Sequence, residues 1–287
     1  MDYTPKIIQD NAKKVHEGAY LNVDFMDYLA AVGISKSKIC DINESVGTML
    51  WKEEHPQKQT DAMLKGTALH DCVLLPDVYK EQYIKGPTND KRTKKWHAFV
   101  SSHSPTTVLT PNMHADVTAM SSALWENDRI REIVKHPTVW REVSCWAHHP
   151  VFQVICKFRP DIIVDNWIYD IKTTNAPQWR PFRHTVFQFH YHAQAAFYMD
   201  MARMLGLDIE GFRFIVVGSK PPYDTAIYEL DDELMDEGRQ FYTNGLQAYS
   251  DYLTSSDRWS GLPYGRDIVT IPMSSDPWIE VTDEQKN

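Results

Sequence analysis

The 287-residue chain carries 30 Lys+Arg against 39 Asp+Glu, a formal net charge of −9, and is 43% hydrophobic. That is enough apolar material for a sizeable core and excludes wholesale disorder. A net acidic chain is also a poor general coat for nucleic acid, because phosphate binding needs clustered Lys and Arg, although a small basic site on an acidic body stays open.

Length allows one or two domains at about 150 residues each. The start of the chain, Met1-Asp2-Tyr3-Thr4-Pro5, has no basic-then-apolar leader, and no run reaches the roughly 18–20 apolar residues of a membrane span. The expectation is a soluble, cytoplasmic protein with no membrane partner. Cys40, Cys72, Cys145 and Cys156 form no C-x-x-C pair, so they read as free thiols rather than zinc or iron–sulfur ligands. Nine Trp point to an aromatic interior.

Residues 1–60 read as short helices joined by polar turns, with Ser35 and Ser37 offering N-caps for a helix through Ile39 and Ile42. A helix spans Thr60 to Leu75, capped by Thr60 or Asp61 and stopped by Pro76. Residues 86–97 hold a basic run, Lys91, Arg92, Lys94 and Lys95, beside Trp96. Residues 111–135 read as one long helix opening at Pro111. Strands follow at Glu142–His148, Val151–Phe158, Ile162–Val164 and Trp167–Thr173, the last two joined by an Asp165-Asn166 turn. Residues 186–205 read as a helix ended by Gly206, and Phe212–Val217 as a buried strand. Six acids between Glu229 and Glu237 suit a solvated helix face, and Trp259 and Trp278 could pin the tail. The order predicts one α/β domain over residues 1–287. It has a mixed central sheet flanked by helices, an N-terminal helical elaboration (1–60), a catalytic core (61–217) and a C-terminal helix and tail (218–287).

Chemistry concentrates in Arg159-Pro160-Asp161 and Tyr169-Asp170-Ile171-Lys172. Asp170 and Lys172 are two apart on a predicted strand and share a face, about 6.7 Å apart along it. Asp161 opens the preceding strand of the hairpin and can reach the same end. Two carboxylates and an ammonium at a sheet edge suit a hard divalent cation that keeps positions for water and phosphate oxygens. The plain alternative is an ion pair on a surface strand. Against that, Asp170 and Lys172 lie among the apolar Ile168 and Ile171. Nothing resembles G-x-x-x-x-G-K, a strand-linked G-x-G-x-x-G or G-x-S-x-G, so no nucleotide cofactor is expected.

Pro160-Asp161 followed by Asp170-Ile171-Lys172 resembles the signature of the PD-(D/E)xK nuclease superfamily. Further segments, in order, are similar to RecE-type (exonuclease VIII-like) phage and prophage nucleases. They are Ile34-Ser35-Lys36-Ser37, Gly66-Thr67-Ala68-Leu69-His70, Arg92-Thr93-Lys94, Glu142-Val143-Ser144 and Tyr191-His192-Ala193-Gln194-Ala195-Ala196-Phe197-Tyr198. The resemblance covers roughly residues 34–200, and Glu44-Ser45-Val46-Gly47 departs from it where a Ser-Pro pair is expected.

The resemblance implies a restriction-endonuclease-like core in which Asp161 and Asp170 bind the metal, with the Ile171 carbonyl and His70 as further ligands. Lys172 would position or activate the attacking water. Gln194 and Tyr198, one helical turn apart, would border the site and touch DNA or orient Lys172. Without a partner, His70 among Leu69, Cys72 and Val73 would instead be a core histidine; Gly66, one turn earlier, would let a ligand approach its face. Mg²⁺ is the expected cofactor, and because an imidazole ligand is tolerated better by Mn²⁺ than by Mg²⁺, Mn²⁺ is expected to substitute for it. Lys91, Arg92, Lys94 and Lys95 are candidate DNA contacts or a solvated loop, Arg159 a phosphate ligand or an ion-pair partner, and Glu142 a further member of the acidic cluster.

The implied activity is exonucleolytic hydrolysis of linear double-stranded DNA, 5′-to-3′, leaving 3′ single strands for recombination. Implied partners are DNA ends, a ring-shaped homo-oligomer and a RecT-like single-strand annealing protein. The alternatives are an endonuclease or repair nuclease on the same fold, and a non-catalytic DNA-end-binding or assembly protein.

Overall fold

Asp165 and Asn166 both adopt left-handed backbone (φ 48° and 65°) and turn the chain between strands at Ile162–Val164 and Trp167–Thr174, as their residue types predict. That hairpin is the middle of the fold, seen here in a computed structural model that describes residues 6–7 and 16–255. Trp259 and Trp278 lie outside the described residues.

In chain order the elements are β1 (Lys6–Ile7), β2 (Gly18–Leu21), α1 (Phe25–Ala30), α2 (Lys36–Glu44), α3 (Val46–Glu54), α4 (Asp61–Leu74), α5 (Pro76–Gln82), β3 (Tyr83–Lys85), α6 (Lys94–Ser102) and β4 (Thr107–Leu109). Then come α7 (Pro111–Glu126), α8 (Asp128–Lys135), β5 (Trp140–Arg141), β6 (Ser144–His149), β7 (Val154–Phe158), β8 (Ile162–Val164) and β9 (Trp167–Thr174). The chain finishes with α9 (Trp179–Gln188), α10 (Tyr191–Met204), β10 (Gly211–Gly218), β11 (Thr225–Glu229) and α11 (Asp232–Thr254).

The central sheet has the order β11-β10-β9-β8-β5. β9 and β10 run parallel and are joined through α9 and α10, while the other neighbours are antiparallel. A second sheet has the order β1-β2-β6-β7, and β3 pairs with β4. Strand alternation splits the interior into two layers. Phe212, Phe214 and Val216 join Phe182, Ala195, Ala196 and Phe197 on the α9–α10 side. Ile171, Ile215 and Val217 join Ala68, Leu69, Val117 and Met120 on the α4–α7 side.

Several expected elements divide differently. The N-terminal region is not wholly helical, because β2 pairs with β6. The helix expected over 111–135 breaks at Asn127, whose backbone is extended (φ −74°, ψ 109°). Its side chain caps the second helix at Ile130 N and donates to Thr225 Oγ1 (3.0 Å). The helix expected over 186–205 begins only at Tyr191, after His190 in left-handed backbone (φ 50°), and its first residues belong to α9. Gly206 (φ 80°) does end α10. Val151 falls in the turn between β6 and β7, and Glu142 (φ 50°) lies outside β6.

Two buried devices fix the scaffold around the site. Lys157, 4% exposed, donates to the carbonyls of Tyr28 (3.0 Å), Leu29 (2.9 Å) and Ala31 (2.7 Å), closing the C-terminal end of α1 onto β7. Gly238 lets α11 lie directly on α10: a Cβ there would stand 2.6 Å from the His192 carbonyl carbon and 3.0 Å from Ala193 N. Gly238→Ala gains about 1 kcal/mol of helix propensity but meets backbone, which cannot rotate away, at an overpacking cost of about 1–3 kcal/mol. The clash wins, so the melting temperature is expected to fall by several degrees; an unchanged or raised value in a thermal melt would refute this.

Candidate metal centre and active site

The site is built where two strands stop pairing. β8 meets β9 only from Val164–Trp167 to Ile162–Tyr169, because Pro160 just upstream has no N–H to extend the ladder. β9 runs on beside β10 to Thr174. On its other edge, the Ile171 peptide must find partners elsewhere. Its N–H donates to Asp161 Oδ2 (2.7 Å), and its carbonyl accepts from His70 Nε2 (2.9 Å), which α4 brings across the layer. His70 Nδ1 lies 3.4 Å from Asp161 Oδ2. His70 is therefore tied to the site and is not an isolated core histidine. Gly66 does not provide a close approach: the nearest atom to a Cβ there would be Thr173 Oγ1 at 3.8 Å, an ordinary contact.

Glu142 joins the cluster. Its backbone N–H donates to the Asp161 carbonyl (3.0 Å), and His70, Glu142 and Asp161 offer ligand atoms all within 4.8 Å of one another. Arg159 is the ion-pair partner of its two readings: Nε donates to Glu142 Oε2 (2.7 Å), and Nη1 to Ser144 Oγ (2.6 Å) and the Val23 carbonyl (3.1 Å). With its donors turned inward, it holds Glu142 rather than offering itself to phosphate.

Asp170 and Lys172 share the opposite face of β9. Lys172 Nζ lies 2.6 Å from Asp170 Oδ2, and Gln194 bridges the pair, accepting from Lys172 (3.1 Å) and donating to Asp170 Oδ1 (2.5 Å). Asp170 Oδ2 is buried with charge contact but no aligned hydrogen bond. Tyr191, which carries no role in the sequence reading, puts its ring 4.4 Å from the Lys172 ammonium. It gets there because α10 starts at residue 191. Tyr198, one turn beyond Gln194, packs half-buried on Phe158 (ring centroids 5.5 Å apart).

The donor set fits a divalent cation: carboxylate oxygens, one imidazole and a nearby backbone carbonyl, with no thiolate. His70, Asp161 and Glu142 would hold it, beside the Ile171 carbonyl. Burial pulls the His70 pKa down, but the Asp161 carboxylate outweighs it and raises the group to about 9. Burial and the Asp161 charge push Glu142 up to about 7. Burial works to raise Asp161, yet His70 holds it below the usual carboxylate range. Burial raises Asp170, while Lys172, although burial opposes it, is raised by Asp170.

A cation must displace the His70 and Glu142 protons, so Mn²⁺ affinity is expected to rise steadily from pH 6 to pH 9, with proton release on binding. Titration calorimetry in buffers of different ionisation enthalpy checks it; a pH-independent affinity would remove His70 from the ligand set. Folding runs the other way. The stabilisation from protonated His70 is fully present below about 6.5 and is lost as pH rises through about 9.

The basic run is less free than its sequence suggests. Lys91 pairs with Asp61 (2.5 Å) and Arg92 with Asp90 (2.9 Å). Trp96 is 7% exposed and unavailable for stacking. Lys94 and Lys95 are exposed on the first turn of α6, which begins here rather than continuing a loop, and make no ion pair among the described residues.

Residues 35–260 match a family model described as a PDDEXK-like domain of unknown function. Among solved structures, a candidate exonuclease from Eubacterium rectale is 13% identical with a TM-score of 0.56, the match covering 88% of this chain and 97% of that one. A phage-related exonuclease from Haemophilus somnus is 13% identical with a TM-score of 0.35, over 80% of this chain and 98% of that one. A search of the curated proteins finds no match. No helix among the described residues is long and apolar enough to cross a membrane.

Proposed function

Because the chain belongs to the PDDEXK-like family, and its mixed sheet with flanking helices is the α/β core of that fold, we propose that it is a metal-dependent deoxyribonuclease acting on linear double-stranded DNA. The observation that carries this reading is the cluster of His70, Glu142 and Asp161 beside the Asp170–Lys172 pair where β9 leaves β8, with Asp170 outside the cluster and tied to Lys172 but close enough to feel the Asp161 and His70 charges. A divalent ion held there would supply Lewis-acid stabilisation of the charge on the attacked phosphate.

The chain's own residues do the rest. Asp170 and Gln194 fix the Lys172 head from two sides, so the ammonium can orient water for in-line attack and stabilise charge developing on phosphorus. Arg159 keeps Glu142 turned into the cluster.

Exonucleolytic action, 5′-to-3′, with 3′ single strands handed to a RecT-like annealing protein, follows from the ordered RecE-type motifs over residues 34–200. The name of the Eubacterium rectale structure agrees with an exonuclease. A ring-shaped homo-oligomer and Mg²⁺, replaceable by Mn²⁺, belong to the same reading.

The test compares end-labelled linear duplex with covalently closed circular duplex, with Mg²⁺ or Mn²⁺ and with EDTA. Loss of label from the linear DNA only, abolished by EDTA, is expected. Nicking of the circle would make the protein an endonuclease, and intact DNA under both ions would refute the nuclease reading.

A further inference from the structure

From Ile171 to Met199 the chain has no Asp or Glu, in a sequence that carries 39. Most of that stretch is α9 and α10. The buried side of α9 is Phe182 and Val186, with the Phe182 ring 6.3 Å from Tyr191 and 6.0 Å from Phe214. Its outer side is Trp179, 60% exposed, with exposed Arg180, Arg183 and His184, and Phe189 follows the helix at 49% exposed.

Arg180 lies over the Trp179 ring (5.1 Å) and Arg183 over Phe187 (5.1 Å); neither makes an ion pair among the described residues. Gln178 makes no side-chain cap, so the positive first turn of α9 is not neutralised either. This face adjoins the active site: Phe189 stacks on Tyr191 (5.7 Å), the ring that meets Lys172.

Unpaired guanidinium groups alternating with exposed aromatic rings are the chemistry that holds a polyanion with flat, unstacked bases. A duplex hides its base faces and cannot use the rings. We propose that the outer face of α9, from Trp179 to Arg183 with Phe189, is a binding track for single-stranded DNA, taking the unpaired strand beside the cleavage site. The placement of that strand rests on the nuclease reading, whereas the binding itself does not need cleavage.

The test measures fluorescence anisotropy of labelled oligothymidylate with the full chain in EDTA. The triple variant Trp179→Ala, Arg180→Ala, Arg183→Ala changes only exposed side chains, so its melting temperature should match wild type. It is expected to bind about tenfold or more weakly, with a salt slope smaller by about 1.4, the share of two phosphate contacts. Lys58→Ala, Arg129→Ala, which removes two exposed cations elsewhere on the surface, is the control and should bind single strands as wild type does.

Triple-variant binding within twofold of wild type would overturn the proposal. So would normal single-strand binding with altered sedimentation, which would make the face an interface between copies of this chain. DNA cleavage by wild type together with unaltered binding in the triple variant defeats this inference alone. Lost binding together with a wild type that cuts nothing under Mg²⁺ or Mn²⁺ defeats the nuclease reading and leaves the track standing.

Discussion

Lys172→Ala is expected to lower turnover on linear duplex by about 10³-fold or more while leaving Mn²⁺ affinity close to wild type. The size follows from what the ammonium does. A prepositioned charge aimed at developing negative charge is worth about 10²–10³ in rate, and holding the nucleophilic water adds to it. The fold should survive because the orphaned partner has an escape. Asp170 is buried and its carboxyl is already pushed up by that burial, so it can take a proton once Lys172 is gone. Gln194 remains to donate to its Oδ1. Single-turnover rates and calorimetric Mn²⁺ titration on the same sample separate the two effects. Turnover within tenfold of wild type would place the chemistry elsewhere, and lost Mn²⁺ binding would mean that Lys172 organises the cation site rather than the reaction.

Asp161 has two jobs that two substitutions can separate. Its carboxylate charge raises the His70 pKa, and its Oδ2 accepts the Ile171 N–H. Asp161→Asn keeps an oxygen for that amide and removes the charge. The His70 pKa should then fall below about 9 as burial regains control, Mn²⁺ affinity should drop about 100-fold or more, and cleavage should be lost. Melting should fall below wild type near neutral pH, where the His70–Asp161 stabilisation is lost, and the difference should shrink as pH rises through about 9. Asp161→Ala also leaves the Ile171 amide without its acceptor, adding about 1–3 kcal/mol of destabilisation. Histidine resonances followed by NMR against pH, with melts of both variants, decide it. An unmoved His70 titration in Asp161→Asn would break the link between the two residues, and equal melting of the variants would mean that the amide bond contributes nothing.

The strands around the site were legible because their chemistry is local. Asp165-Asn166 carries its turn in its own residue types, and Asp170 and Lys172 share a face by period alone. Thr60 likewise caps α4 at Met63 N, as its position predicts. What stayed hidden depends on partners far away in sequence. Asn127 breaks a periodic helix, and its amide bonds Thr225, 98 residues on. His190 takes a left-handed backbone next to Phe189, whose carbonyl accepts from Lys36, 153 residues earlier. Without that break, Tyr191 reads as one more core aromatic rather than the ring under Lys172.

Charge was the other partial reading. Lys91 and Arg92 look free in sequence, but each has an acid within reach, one of them 30 residues away. Two arginines without an ion pair among the described residues, Arg180 and Arg183, are on α9, most of which lies ahead of the helix expected over 186–205. Sequence alone does not choose between phosphate ligand and ion-pair partner for Arg159, because only the fold shows Glu142 standing opposite it.

The early parting of β8 from β9 also has a kinetic meaning. In an ordinary sheet the Ile171 amide would be sealed by a neighbouring strand and would exchange with solvent only on global unfolding. Here a single carboxylate guards it. Its exchange rate therefore reports the charge and position of Asp161 directly, and a cation drawn to that carboxylate would change the protection of one backbone proton in the middle of the sheet. Exchange at this one amide would thus gauge whether a cation occupies the proposed site, readable without DNA and without turnover.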